Sequence, residues 1–153
     1  MKINGLNYSS YSIDEAHDVS YLFDAIQQHG DRLIYIGNDI ELRFVVSGQS
    51  VTVRLEFGFE WDGASIPGFA QWLIGKPMDF EFRIASLLHD AGYEYRTRRV
   101  LHDVIFYYLL RQASVPAWKA SIMFAAVRLG GHVYYASETS RFWRGVKWVL
   151  ERT

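Results

Sequence analysis

Two short runs of strictly alternating residues constrain this chain more than any other feature. Ile40, Leu42, Phe44 and Val46 are separated by Glu41 and Arg43; Val51, Val53, Leu55 and Phe57 are separated by Thr52, Arg54 and Glu56. A period of two gives a strand one buried face and one wet face. Ser47-Gly48-Gln49-Ser50 lies between the runs and supplies a turn, so the pair predicts an antiparallel hairpin. The apolar stretch over 33–36 predicts a short third strand.

The flanks read differently. Ser12-Ile13-Asp14-Glu15 has the form of a capping box, in which the serine hydroxyl and the glutamate satisfy each other's orphan amides. Ala16, Val19, Leu22, Phe23 and Ile26 follow at helical spacing, with Gly30 placed to stop the run. His17 and His29 fall on the surface of that predicted helix. From Phe80 onward the pattern is helical to the end, over 80–95, 100–113, 117–129 and 134–151. Pro116 opens the third of these and Gly130-Gly131 closes it. The expected fold is therefore α+β: an N-terminal helix and a small antiparallel sheet, followed by a C-terminal helical bundle, in a single domain over 1–153.

Composition narrows the function classes. Half of the 153 residues are hydrophobic, which excludes disorder. No apolar run reaches the roughly 18 residues of a membrane span, so no transmembrane segment is expected. Residues 1–12 have neither a basic leader region nor an apolar stretch, so no signal peptide is expected. The absence of cysteine removes disulfides and thiolate metal sites. The net charge of −1 conceals an asymmetry, with −6 on residues 1–75 and +5 on residues 76–153. Either the charges solvate different faces, or a basic C-terminal half meets a lipid or another anionic surface. The last helical run fits both, because Phe142, Trp143 and Trp148 are interleaved with Arg141, Arg144 and Lys147. No specific nucleic-acid signal is present.

The chemistry is concentrated in Ser86 to Asp103. His89 and Asp90 are adjacent, and Tyr93 follows His89 by four residues, on the same helical face. A basic run over 96–99 interrupts the pattern, after which His102 and Asp103 open the next helix. Two helices joined by so short a link run antiparallel, which can return Asp103 to His89. A histidine backed by one carboxylate, beside a second carboxylate able to hold a cation, suits water activation. Upstream, an irregular loop contains Asp62-Gly63-Ala64-Ser65, where Asp62 and Ser65 offer oxygens. Its structural alternative is an Asx-turn with Ser65 capping a following helical turn. Phe69, Trp72, Phe80 and Phe82 nearby read as core, or as the receptor of an apolar chain.

Two resemblances attach to these residues. Trp61-Asp62-Gly63-Ala64-Ser65-Ile66-Pro67, then Leu88-His89-Asp90-x-x-Tyr93, Asp103-x-x-Phe106 and Ala126-Val127-Arg128 with Gly130 resemble a bacteriophage family, domain of unknown function 1353, over roughly 57–134. That resemblance brings no established activity, and the family often has alanine where this chain has His102. The same motifs resemble the active-site helices of the phospholipase A2 superfamily, especially its bacterial and parvoviral members. That likeness implies His89 as the base that activates water, Asp103 as the group that orients it, and Tyr93 bonded to Asp103. It also implies Ca2+ held by Asp90 and by the loop of Asp62 and Ser65. Ala64 stands where that superfamily has a cysteine, its disulfides are absent, and its glycine-rich loop is shortened.

Three functions follow as expectations. The first is a phage-encoded protein with a metal-assisted, hydrolase-like site, most like a calcium-dependent ester (phospholipid) hydrolase. The second is a non-enzymatic virion or tail-associated protein with other virion proteins as partners. The third is a metal phosphohydrolase using His89, Asp90, His102 and Asp103. The expected location is the host bacterial cytoplasm or the phage virion.

Overall fold

The hairpin forms where the alternation predicts it. In the computed structural model, β6 (Ile40–Val46) and β7 (Gln49–Leu55) pair antiparallel from Val46↔Gln49 to Ile40↔Leu55. The turn between them is only Ser47 and Gly48, both at positive φ, as a right-handed twist at a two-residue loop requires. Leu42, Phe44, Val46, Val51, Val53 and Leu55 are buried. On the wet face Arg54 pairs with Glu41 at 2.7 Å. Phe57 continues the alternation in sequence, but it lies beyond the strand and is exposed.

The structure describes residues 2–3, 6–7, 11–64, 66, 68–93 and 99–136. Before the hairpin come β1 (Lys2–Ile3) and β2 (Leu6–Asn7), paired with each other, then β3 (Ile13–Ala16), β4 (Ile26–His29) and β5 (Arg32–Tyr35). After it come β8 (Glu60–Trp61), α1 (Gln71–Ile74), α2 (Arg83–Tyr93), α3 (Arg99–Gln112) and α4 (Ala117–Ala136). One three-stranded sheet has the order β3-β6-β7 and the other β4-β5-β8, both antiparallel. The fold class is α+β. The predicted strand at 33–36 exists as β5, but it pairs with β4 and β8 and not with the hairpin.

The predicted N-terminal helix is replaced by a strand, a 3-10 turn over Ser20–Ala25 and a second strand. The capping-box residues are spent on the hairpin instead. The Ser12 hydroxyl donates to Asp14 Oδ1, and Asp14 Oδ2 accepts the Gly48 amide at 2.7 Å. The Ser47 amide donates to the Ser12 carbonyl. These bonds hold β3 against the edge of β6, with a bulge between Ile13 and Glu15. Asp18 caps the 3-10 turn by accepting from the Ser20 amide and hydroxyl. Val19, Leu22 and Ile26 are buried as their spacing suggests, yet a helix would leave the edge of β6 unpaired, and that edge wins.

The helices stack in sequence: α2 lies on β7, α3 packs on α2, and α4 packs on α3. Leu55, Phe82, Leu87, Leu88, Val104 and Leu110 are fully buried where these layers meet. Gly130-Gly131 does not end a helix, since α4 runs through both to Ala136. Interior glycine costs only about 1 kcal/mol relative to alanine. Of the predicted final helix over 134–151, the first three residues belong to α4 and the rest lie outside the described residues. The aromatic cluster divides. Phe82 is core, Phe80 and Trp72 are exposed at 67% and 83%, and the Phe69 side chain lies outside what is described.

Candidate active site

α2 and α3 cross at a glycine. Gly92 is buried, and a Cβ there would collide with the His102 ring, so the Ala91-Gly92 step permits close approach of the two helices. That approach lets the side chains of His89 on α2 and Asp103 on α3 meet. His89 Nε2 lies 2.6 Å from Asp103 Oδ1. One turn after Asp103, the Phe106 ring lies 4.9 Å from the imidazole, centroid to centroid. The histidine side chain is 10% exposed and that of Asp103 is fully buried. An ionised carboxylate only accepts hydrogen bonds, so in neutral His89 the proton is on Nε2 and the lone pair on Nδ1.

The second oxygen of Asp103 is held from α4. Arg128 Nη1 donates to Oδ2 at 2.7 Å, and Arg99 Nε lies 3.8 Å from the same oxygen. Arg99 also donates through Nη2 to the carbonyls of Val127 and Arg128, at 3.0 and 2.6 Å. The buried Asp103 carboxylate is thus paired at both oxygens, as burial demands, while Arg128 Nε is buried with no hydrogen-bond partner among the described residues. Burial alone would raise its pKa, but the hydrogen bonds and charges of His89 and Arg128 outweigh it and hold the carboxyl below 3.8. For His89 burial opposes the charged ring, and the carboxylates of Asp103 and Asp90 overcome it and raise the pKa. Burial and the neighbouring His89 push His102 down to about 4, so it is neutral at physiological pH.

Nδ1 of His89 faces the other way, toward Asp90. The Nδ1–Oδ1 separation is 3.8 Å, an electrostatic contact too long for a hydrogen bond. Burial raises the Asp90 pKa, and the carboxylate of Asp62 raises it further against His89 and Arg32. Asp62 reaches this position through its neighbours. Trp61 is buried, and its Nε1 donates to Ser86 Oγ on α2 at 2.9 Å. Gly63 has φ +86 and no space for a Cβ beside the Pro77 carbonyl, which accepts the Ala64 amide at 2.8 Å. Trp61 thus anchors the loop to α2, and Gly63 lets it pass Pro77.

The family described as "Protein of unknown function (DUF1353)" matches residues 39–127. The chain belongs to this family. A relative, "Uncharacterized protein y4jT" of Sinorhizobium fredii (strain NBRC 101917 / NGR234), is 41% identical over 75 residues. That stretch is 48% of this chain and 22% of the relative, so the match spans a minor part of a longer protein. No solved structure matches the chain.

Within the DUF1353 match lie His89, Asp90, Asp103 and Asp62. The structure joins His89 to Asp103 directly and brings Asp62 and Asp90 within electrostatic reach of one another. Tyr93 follows His89 by one turn on α2; its side chain and Ser65 lie outside what is described. Among the described residues no group of three or more His, Asp or Glu side chains is placed to hold a metal. A cation here would therefore have two carboxylates, Asp90 and Asp62, with backbone oxygens or solvent completing its shell. No described helix is long and apolar enough to cross a membrane. Sequence reasoning assigned no role to Arg99 or Arg128. The signal for them was indirect: a carboxylate buried beside a histidine needs further cations.

Proposed function

We propose that this DUF1353 chain carries a hydrolase-like site, most like that of a calcium-dependent ester hydrolase, with His89 as its general base. The observation that carries the reading is the 2.6 Å contact between His89 Nε2 and Asp103 Oδ1. Asp103 fixes the tautomer, so the lone pair of Nδ1 is left on the side of Asp90. A water beside Nδ1 would give its proton to that nitrogen as its oxygen attacks the ester carbonyl. The imidazolium that results is stabilised by the Asp103 carboxylate. His89 then returns the proton to the leaving alkoxide. Asp90 and Asp62 would hold calcium, which when bound supplies polarisation of the carbonyl and charge for the developing oxyanion.

A second reading is a virion or tail-associated scaffold. It is favoured by the full burial of Asp103 among His89, Arg99 and Arg128, an ionic cluster that ties three helices together. One substitution separates the two. His89→Gln retains polarity and approximate volume but cannot take up a proton at neutral pH. If His89 is the base, hydrolysis of a short-chain phospholipid or activated ester falls about 10²–10⁴-fold and the melting temperature is unchanged. If His89 is a structural link, the substitution costs about 1–3 kcal/mol of stability. Wild-type protein is then inert toward an ester panel with calcium present.

A further inference from the structure

Asp103 has two carboxylate oxygens and the fold assigns them different tasks. Oδ1 meets His89 at 2.6 Å, and Oδ2 meets Arg128 at 2.7 Å. A buried carboxylate held at one oxygen only can rotate about its last torsion, which for a terminal sp³–sp² bond is broad and roughly two-fold. The Arg128 contact removes that freedom. The backbone of α4 from which Arg128 reaches is held in turn, because the Arg99 guanidinium donates to the carbonyls of Val127 and Arg128. The result is a relay of fixed groups from α3 to α4 and back to α3, ending at the imidazole on α2.

We propose that Arg128 is a positioning residue: by clamping Oδ2 of Asp103 it keeps Oδ1 directed at His89 Nε2 and so selects the tautomer whose lone pair is on Nδ1. The proposal rests on the reading of His89 as a general base for its catalytic meaning, while its structural content stands on the two contacts of Asp103. Arg128 does not touch the reacting atoms. It acts through Asp103, as a group behind a ligating or catalytic side chain commonly does, and Arg99 sets the height of α4 from which it reaches.

The test uses the full chain labelled with ¹⁵N at histidine, at alkaline pH where the ring is neutral. Wild-type His89 gives the pattern of a ring protonated at Nε2. Arg128→Gln removes the charge that holds Oδ2; His89 then shows a mixture of tautomers. Turnover of a short-chain phospholipid with calcium falls about 10–100-fold in kcat with KM unchanged. Arg128→Lys restores a charge on a shorter, differently shaped side chain, and it falls between wild type and Arg128→Gln in both readouts. If Arg128→Gln does not fold, Arg128→Lys alone decides. A folded variant of either kind with the wild-type tautomer and wild-type kcat overturns the proposal. If wild type hydrolyses nothing and the tautomer still depends on Arg128, the positioning role stands and the hydrolase reading falls. If the wild-type ring is protonated at Nδ1, the positioning role falls whatever the activity.

Discussion

Two aspartates flank one histidine, and their surroundings could hardly differ more. Asp103 is fully buried, meets an arginine and a histidine through separate oxygens, and has its pKa lowered. Asp90 is partly exposed, stands 3.8 Å from the other ring nitrogen, and has its pKa raised by burial and by the carboxylate of Asp62. The first arrangement is satisfied by the protein itself. The second has negative charge gathered on one side, with Arg32 and His89 opposing it among the described residues. Titratable groups pushed apart in this way mark where a fold divides its tasks. The closed side of the histidine sets orientation, and the open side is where chemistry or a cation would be accommodated.

The contrast is broken most forcefully at Asp103. Asp103→Asn leaves the Arg128 guanidinium buried without its carboxylate and should cost about 3–5 kcal/mol, read by chemical denaturation. The same pairing gives stability a pH dependence with opposite signs for its two partners. The Asp103 pKa is depressed, so its contribution is present above 3.8 and lost as pH falls through the lower folded value. The His89 pKa is raised, so its contribution is complete below 6.5 and lost as pH rises through the folded value. Equal stability of Asp103→Asn and wild type at neutral pH would mean that the closed side is not closed.

A smaller effect is expected where the helices cross. Gly92→Ala drives a methyl group into the His102 ring, and that ring is 3% exposed and has little room to move. Overpacking of this kind costs about 1–3 kcal/mol, less the helix preference of alanine. A stabilised Gly92→Ala would show that the crossing tolerates a wider separation than the His89–Asp103 contact allows.

The smallest effect on stability belongs to Asp90. Asp90→Asn removes a charge that already faces Asp62, so the change should stay within about 0.5 kcal/mol. Calcium binding is a different matter. With two carboxylates it should be weak, in the range of roughly 10⁻⁴–10⁻³ M, and its calorimetric heat should disappear in Asp90→Asn. Undiminished heat in the variant would place the cation elsewhere.

The parts of this molecule that could be read from sequence are those specified locally. The hairpin is legible because alternation over seven residues reports directly which face is buried. His89 and Asp103 are legible as a pair because helical phase and a short link leave few geometries. The N-terminal segment is not, because Val19, Leu22 and Ile26 have the spacing of a helix face while a 3-10 turn and a strand bury them equally well. What decides there is the edge of β6, more than twenty residues later, together with Asp14 bonding to Gly48. Arg128 is legible as part of the Ala126-Val127-Arg128 motif, but its role is not, for the same reason. It lies 25 residues from Asp103, and an arginine on a long helix reads as solvent-facing until something buried claims it. Trp72 and Phe80 failed in the opposite sense, since aromatic character suggested core and the structure leaves both exposed.

His89 is held with Nε2 toward Asp103, and the role proposed for its Nδ1 is that of a general base. The most direct test of that role is the pH dependence of kcat/KM for wild-type hydrolysis of a short-chain phospholipid at constant calcium. The rate should rise with pH as one ionisation, that of the general base, and the limb should be absent in His89→Gln. A flat profile, or one whose limb survives in His89→Gln, would contradict the account.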